Sequence, residues 1–168
     1  MKMFKSMRRS LGLGQVRFAN SQAMCTSFKT EILNGIHAFG TTVVRGATTK
    51  DSFKAALFLV SATINASTTA YSSTGEVTGA GYSAGGIAVT NGNAPSSSGT
   101  TAFWTPSASL VYSSVTLSTA FDAVLIYNST QGDKAVSVHT FGSQTVTAGT
   151  FTLTMPTNDA SNALIRIA

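Results

Sequence analysis

The sequence predicts an all-β fold: an antiparallel β-sandwich, jelly-roll-like, preceded by an N-terminal arm and one amphipathic helix. Three observations predict it. From Phe53 onward, short apolar or alternating runs recur, with breakers at about the 8–12-residue spacing of a sandwich. Charged residues make up only 10% of the chain while apolar ones make up 43%, so the many Ser, Thr and Gly residues serve turns and strand faces rather than disorder. No helix-length pattern lies between the strands, which argues against parallel βαβ units.

Residues 1–24 form the expected arm. Met1, Met3, Phe4, Met7, Leu11 and Leu13 mix with Lys and Arg without a clean period. Met3, Met7 and Leu11 share a helical face, but Gly12 and Gly14 stop that run. Nine basic and two acidic side chains give residues 1–54 a charge of +7, while residues 55–168 carry −2. The basicity therefore belongs to the appendage that precedes the β region. Phe4, Met7, Leu11, Leu13 and Phe18 are its apolar anchors, and Arg8, Arg9 and Arg17 would match an acidic partner surface. Aromatic interleaving stops at Phe4 and Phe18 and no nucleic-acid fold signature follows, so a protein surface is expected rather than nucleic acid. No continuous apolar stretch follows the basic start, so a secretory signal is not expected. No run reaches the roughly 18 apolar residues of a membrane span, and no membrane partner is expected.

Residues 25–40 carry the helix signal. In CTSFKTEILNGIHAF, Phe28, Ile32, Ile36 and Phe39 fall on one face. Thr26 or Ser27 can cap the start, Glu31 sits toward the positive end, and Gly40 suits the left-handed position past the end. Phe28, Ile32 and Phe39 must rest on the β region or on a neighbour, and join the arm as partner-binding residues. Residues 41–52 are a polar connector.

Residues 53–168 form the β domain. The expected strands are Phe53–Ile64, Gly86–Thr90, Thr101–Trp104, Ser109–Leu117, Phe121–Tyr127, Ala135–Phe141, Thr150–Met155 and Ala163–Ile167. The polar stretch from Asn91 to Thr101 reads as an exposed loop.

Chemistry is hard to find in these residues. The cluster GAGYSAGG, residues 79–86, leads into IAVTNGNAPSSSG, which cannot be the helix a dinucleotide loop requires. It reads as turns and bulges, with Tyr82 a packing residue. His37 and His139 stand alone, without acidic residues at ligand spacing, so no metal or other cofactor is expected. The single Cys25 cannot form an intrachain disulfide and reads as a packing residue at the helix start. Asp122 and Asp133 sit where carboxylates satisfy backbone donors. No G-x-S-x-G and no acid/base pair is present, and an enzyme is not expected.

The segments CTSFKTEILNGIHAF, DSFKAALF, GEVTGAGYSAGG, FDAVLIYNST and PTNDASNALIRIA, in this order across residues 25–168, resemble a group of tailed-bacteriophage virion structural proteins. The resemblance implies a small β-sandwich in the virion, with no catalytic residues to carry over. Together with the cationic leader it leads to the expectation of a capsid decoration or cement protein on the shell surface. Its partners would be the major capsid protein or other virion proteins, and the chain would be a homo-oligomer, a trimer before other forms. A neck, collar or tail-associated protein is the alternative. A carbohydrate-binding host-recognition module is a third reading, which needs an exposed cluster of Phe103, Trp104 and Tyr112.

Overall fold

A computed structural model describes residues 20–33, 35–41 and 49–167. Phe4, Met7, Arg8, Arg9, Leu11, Leu13, Arg17 and Phe18 lie outside the described residues. In chain order the elements are β1 (Ala23–Met24), α1 (Thr26–Leu33), β2 (Phe53–Leu59), β3 (Ile87–Ala88), β4 (Ser96–Ser98), β5 (Thr101–Trp104), β6 (Leu110–Asn128), β7 (Lys134–Leu153) and β8 (Ile165–Ile167). All ladders are antiparallel. One sheet runs β1-β7-β6-β2-β3 and the other β4-β5-β8. The all-β expectation is met, with α1 the one helix among the described residues.

β2 shows why an uninterrupted apolar run becomes a central strand. Its FKAALFL sequence is buried on both faces apart from partial exposure at Lys54 and Leu59, so polar alternation would be costly here. The run was expected to continue to Ile64, but the strand ends at Leu59. Ala62 donates its N–H back to the Leu59 carbonyl at 2.9 Å and turns the chain away.

β6 and β7 correct the strand count. Residues 109–117 and 121–127 were expected as two strands, as were 135–141 and 150–155. Each pair is one long strand, of 19 residues in β6 and 20 in β7. Their ladder is broken by register shifts between Tyr112 and Ala123, and Ser114 and Ala148 take positive φ of 54° and 45°. Ten residues of straight strand would span about 33 Å, yet the rings of Phe141 and Phe151 lie 5.2 Å apart, and both approach Phe121. The ribbon therefore doubles back and packs its two halves over each other. Bulges supply that bend without interrupting the strand.

Two further corrections concern the ends of segments. Ser96–Ser98, expected to lie in a loop, pairs with Thr101–Phe103 as β4. The predicted arm ended at residue 24, but Asn20–Met24 belong to the β domain. Ala23 and Met24 pair with Val138 and Ser137, and Ser21 donates to the Ile64 carbonyl at 3.2 Å.

The helix is half its predicted length. Gly35, at φ +67°, donates to the Ile32 carbonyl at 2.9 Å, and Ile36 donates to the Glu31 carbonyl at 3.0 Å. These two bonds are a Schellman closure, so Gly35 ends the helix where Gly40 was expected to. Glu31 thus stands in the last turn rather than near the positive end. Ser27 does not cap: its hydroxyl is buried without a hydrogen bond.

The glycine cluster serves close approach. A Cβ on Gly79 would lie 2.0 Å from the Thr116 carbonyl oxygen, and one on Gly86 would lie 1.8 Å from that of Ala55. The loop backbone lies directly on β6 and β2.

Candidate functional site

The predicted partner-binding residues Phe28, Ile32 and Phe39 are brought together, but mainly by the chain's own core. Phe28 is fully buried, with its ring edge-on to His37 at 4.7 Å and to Phe39 at 5.8 Å. A partner cannot reach it, so its assignment as a partner-binding residue is corrected: the α1 apolar face packs inward. Phe39, which follows the helix rather than lying on it, stacks on Phe53 at 4.8 Å and leans on Trp104 at 4.6 Å. Both Ile32 and Phe39 remain partly exposed. They line a cleft of about 480 Å³ between α1 and the three-stranded sheet, with Pro95, Phe103, Trp104 and Ile167. Ile167 is 45% exposed. The cleft residues beyond Ile32 and Phe39 were not foreseen as a surface, although the Ile165–Ile167 alternation carried the signal.

A polar network holds this region from beneath. Lys134 Nζ donates to Glu31 Oε1 at 3.0 Å, and His37 Nε2 lies 2.9 Å from Glu31 Oε2. The Asn128 amide NH2 is 3.0 Å from His37 Nδ1 and also donates to Asp51 Oδ2 at 2.9 Å. Asn128 Oδ1 accepts from the N–H groups of Thr130 and Gln131, which orients the amide. His37 Nδ1 is then the acceptor, and Nε2 carries the proton that reaches Glu31. Burial would push the Glu31 carboxyl up, but hydrogen bonds from His37 and Lys134 and the Lys134 charge outweigh it and hold it below its ordinary value. Asp51 also accepts from the Ala38 N–H at 3.0 Å, tying the segment after α1 to the β6–β7 turn.

A second cluster gathers all four tyrosines of the chain. Buried Glu76 accepts from the Tyr71 hydroxyl at 2.6 Å, the Tyr82 hydroxyl at 2.7 Å and the Gly85 N–H at 2.8 Å. Tyr127 donates to the Gly85 carbonyl and Tyr112 to that of Ala55. Burial and the carboxylate push these phenols up, Tyr127 to about 12. The cluster pins the loop after β2 to the sheet. Its hydroxyls act as donors, the role opposite to that of a base.

The third feature is a cleft of about 680 Å³ where β1, β7 and the C-terminal segment meet, lined by Met24, His139, Met155, Asn162 and Arg166 among others. Burial depresses His139 to about 4, and its Nε2 lies 2.8 Å from the Ser137 hydroxyl. Ser137 is itself buried, so this pair presents no accessible nucleophile. Cys25 is fully buried, and burial followed by the Glu31 charge raises its thiol to about 11, which disfavours the reactive thiolate. Asp122 accepts from the Asn20 side-chain amide at 2.6 Å, rather than from the backbone donors expected of it. Among the described residues, no three His, Cys, Asp or Glu side chains are grouped to hold a metal. Among the described residues, no helix is long and apolar enough to cross a membrane.

Trp104 and Tyr112 are each 2% exposed, and Phe103 is half-buried. The three do not form the exposed aromatic platform that the glycan-binding reading needs. Compared with known proteins, the chain matches no family model, no curated protein and no solved structure.

Proposed function

We propose that this chain is a non-enzymatic structural protein of a tailed-phage virion, a decoration or cement protein whose β-sandwich sits on the capsid shell. One observation carries the reading: the charge is divided, with +5 in residues 1–19 and no net charge in residues 20–168. A near-neutral folded domain with a cationic leader suits a protein that grips an acidic protein surface. The resemblance of five ordered segments to virion proteins points the same way. The base of the leader adds mechanical support. The Asn20 amide donates to the Leu59 carbonyl at 3.1 Å and to Asp122, and its Oδ1 accepts from the Ile64 N–H at 3.1 Å. Tension on the leader would therefore be borne by β2 and β6.

Ordering a free leader costs about 1–2 kcal/mol per residue, so Phe4, Met7, Leu11, Leu13 and Phe18 must be buried against the partner to offset it. The test is co-sedimentation with particles assembled without the protein. The full chain should bind, and a chain lacking residues 1–19 should remain folded and fail to bind. Undiminished binding by the truncated chain would remove the leader from the proposal. Labelling in electron micrographs separates shell from neck: density over the whole lattice supports the cement role, and a single ring at the tail axis replaces it.

A further inference from the structure

The alternation of residues 164–167 divides two clefts between the faces of one short strand. Ile165 and Ile167 line the apolar cleft beside α1, while Leu164 and Arg166 line the cleft of about 680 Å³. On β7, Ser137 and His139 share a face, and Met24 of β1 pairs against Ser137. Hydrogen-bond accounting fixes what His139 offers. Ser137 is buried, and among the described residues its hydroxyl has no acceptor other than His139 Nε2, 2.8 Å away. The hydroxyl therefore donates to Nε2, since the reverse would strand a buried O–H. That leaves the proton of the neutral ring on Nδ1. Among the described residues Nδ1 has no partner, and it is not sealed from solvent, so its N–H is an open donor at the cleft that His139 lines. Arg166 supplies the charge. One guanidinium N–H donates to the Ser161 carbonyl, which anchors the group and leaves other donors open. Asp159, the carboxylate nearest to it in sequence, has both oxygens engaged by Thr157, Ser161 and Asn162.

We infer that this cleft binds an organic carboxylate carried on an apolar stem. The carboxylate meets Arg166 and the His139 Nδ1–H, and the stem lies on Met24, Leu153, Met155 and Leu164. Three features select that class. The planar fork of a guanidinium matches the two oxygens of a carboxylate and neutralises its single charge. The neutral imidazole adds a donor but no charge, and Arg166 is the one charged side chain among the described residues lining the cleft. A phosphate dianion would therefore stay half-neutralised against an apolar wall. That wall takes hydrocarbon, and a few polar groups set into an apolar cleft of this volume are the ordinary form of a small-ligand site. The inference is independent of the virion reading, because it concerns the folded domain and a ligand in solution.

The experiment is a titration of the full chain with hexanoate at neutral pH, followed by nitrogen–proton NMR correlations of the histidine rings. The chain has two histidines, and a saturable shift is expected at His139 while His37, with both ring nitrogens engaged inside the fold, stays unmoved. Hexanol lacks the charge and acetate lacks the stem, so each should bind at least about tenfold more weakly. R166Q should weaken hexanoate by at least about the same factor, whereas K54Q, which removes a cation outside the cleft, should leave it unchanged. Circular dichroism checks that R166Q is folded, and R166M replaces it if it is not. A capped tripeptide with glutamate between two leucines presents the same chemistry on a protein chain. Tighter binding of the tripeptide names a protein side chain as the source, tighter binding of hexanoate names a free acid, and either supports the site. No saturable shift with either ligand, a shift confined to His37, equal binding of hexanol, or equal binding by R166Q and wild type would each overturn the proposal.

Discussion

At the residue scale, Glu31 and His139 carry much of the acid response, and Asp159, held well below its ordinary carboxyl value by hydrogen bonds from Thr157, Asn162 and the Ser161 and Asn162 N–H groups, adds to it at the acid end. The folded chain holds Glu31 below its ordinary carboxyl value through His37 and Lys134. That stabilisation is fully present above the unfolded carboxyl value and is lost as pH falls through the folded one. His139 contributes at higher pH. Its folded value is about 4, against 6.5 when free, so between those values the unfolded chain binds the proton and the folded chain does not. Stability therefore falls with pH from about 6.5 downward, first through His139 and then through Glu31. Thermal melts at steps from pH 7 to pH 3 should show both phases. H139Q should flatten the upper phase, and E31Q should flatten the lower one while costing on the order of 1–3 kcal/mol at neutral pH. A pH profile unchanged in both variants would show that the acid response arises elsewhere.

At the level of elements, the glycine-rich loop is what seals β2 and β6. Gly86, at φ +72°, faces the Ala55 carbonyl too closely for any side chain, whereas Gly132, at φ +66°, has open space around it. Both G86A and G132A incur the left-handed backbone cost of about 1–2 kcal/mol. Only G86A must also push the loop off β2, so its melting temperature should fall well below that of G132A. Equal losses would mean that the loop shifts freely and seals nothing. These glycines were legible in sequence as turn residues, but the edges they cover were not, because the partners Ala55, Ser114 and Thr116 lie far away in the chain. The same limit explains α1. The apolar spacing through Phe39 outlined a longer helix, while Gly35 in the middle, noted only as a weakness, closes it with two bonds. Strand positions were readable from alternation in the two halves of β7. The joining of predicted strands into two bent ones was not, since bulges such as those at Ser114 and Ala148 leave no fixed residue signature. Of the candidate site, Ile32 on α1 kept exposed surface beside the buried Phe28 and Glu31, and Phe39, past the helix, kept some as well.

For the whole molecule, the boundary between leader and domain decides what can be removed. Charge and composition placed it at residue 24, since nothing in the residues SQAM marks a strand. Tertiary bonds place it before Asn20, whose side chain joins β2, β6 and the turn leading to Ile64. Deleting residues 1–19 spares these bonds and the β1 ladder. Deleting residues 1–24 removes the Asn20 bonds, the Ser21 bond to Ile64 and the pairing of Ala23 and Met24 with β7. At about 1 kcal/mol net for each intramolecular bond, the second deletion should cost several kcal/mol more than the first. It also opens the lower β7 edge, so it should aggregate where the shorter deletion does not. Urea unfolding of the two truncated chains measures the difference directly. Equal midpoints would mean that Asn20–Met24 only decorate the sheet, and that the leader pulls on a segment the domain does not need.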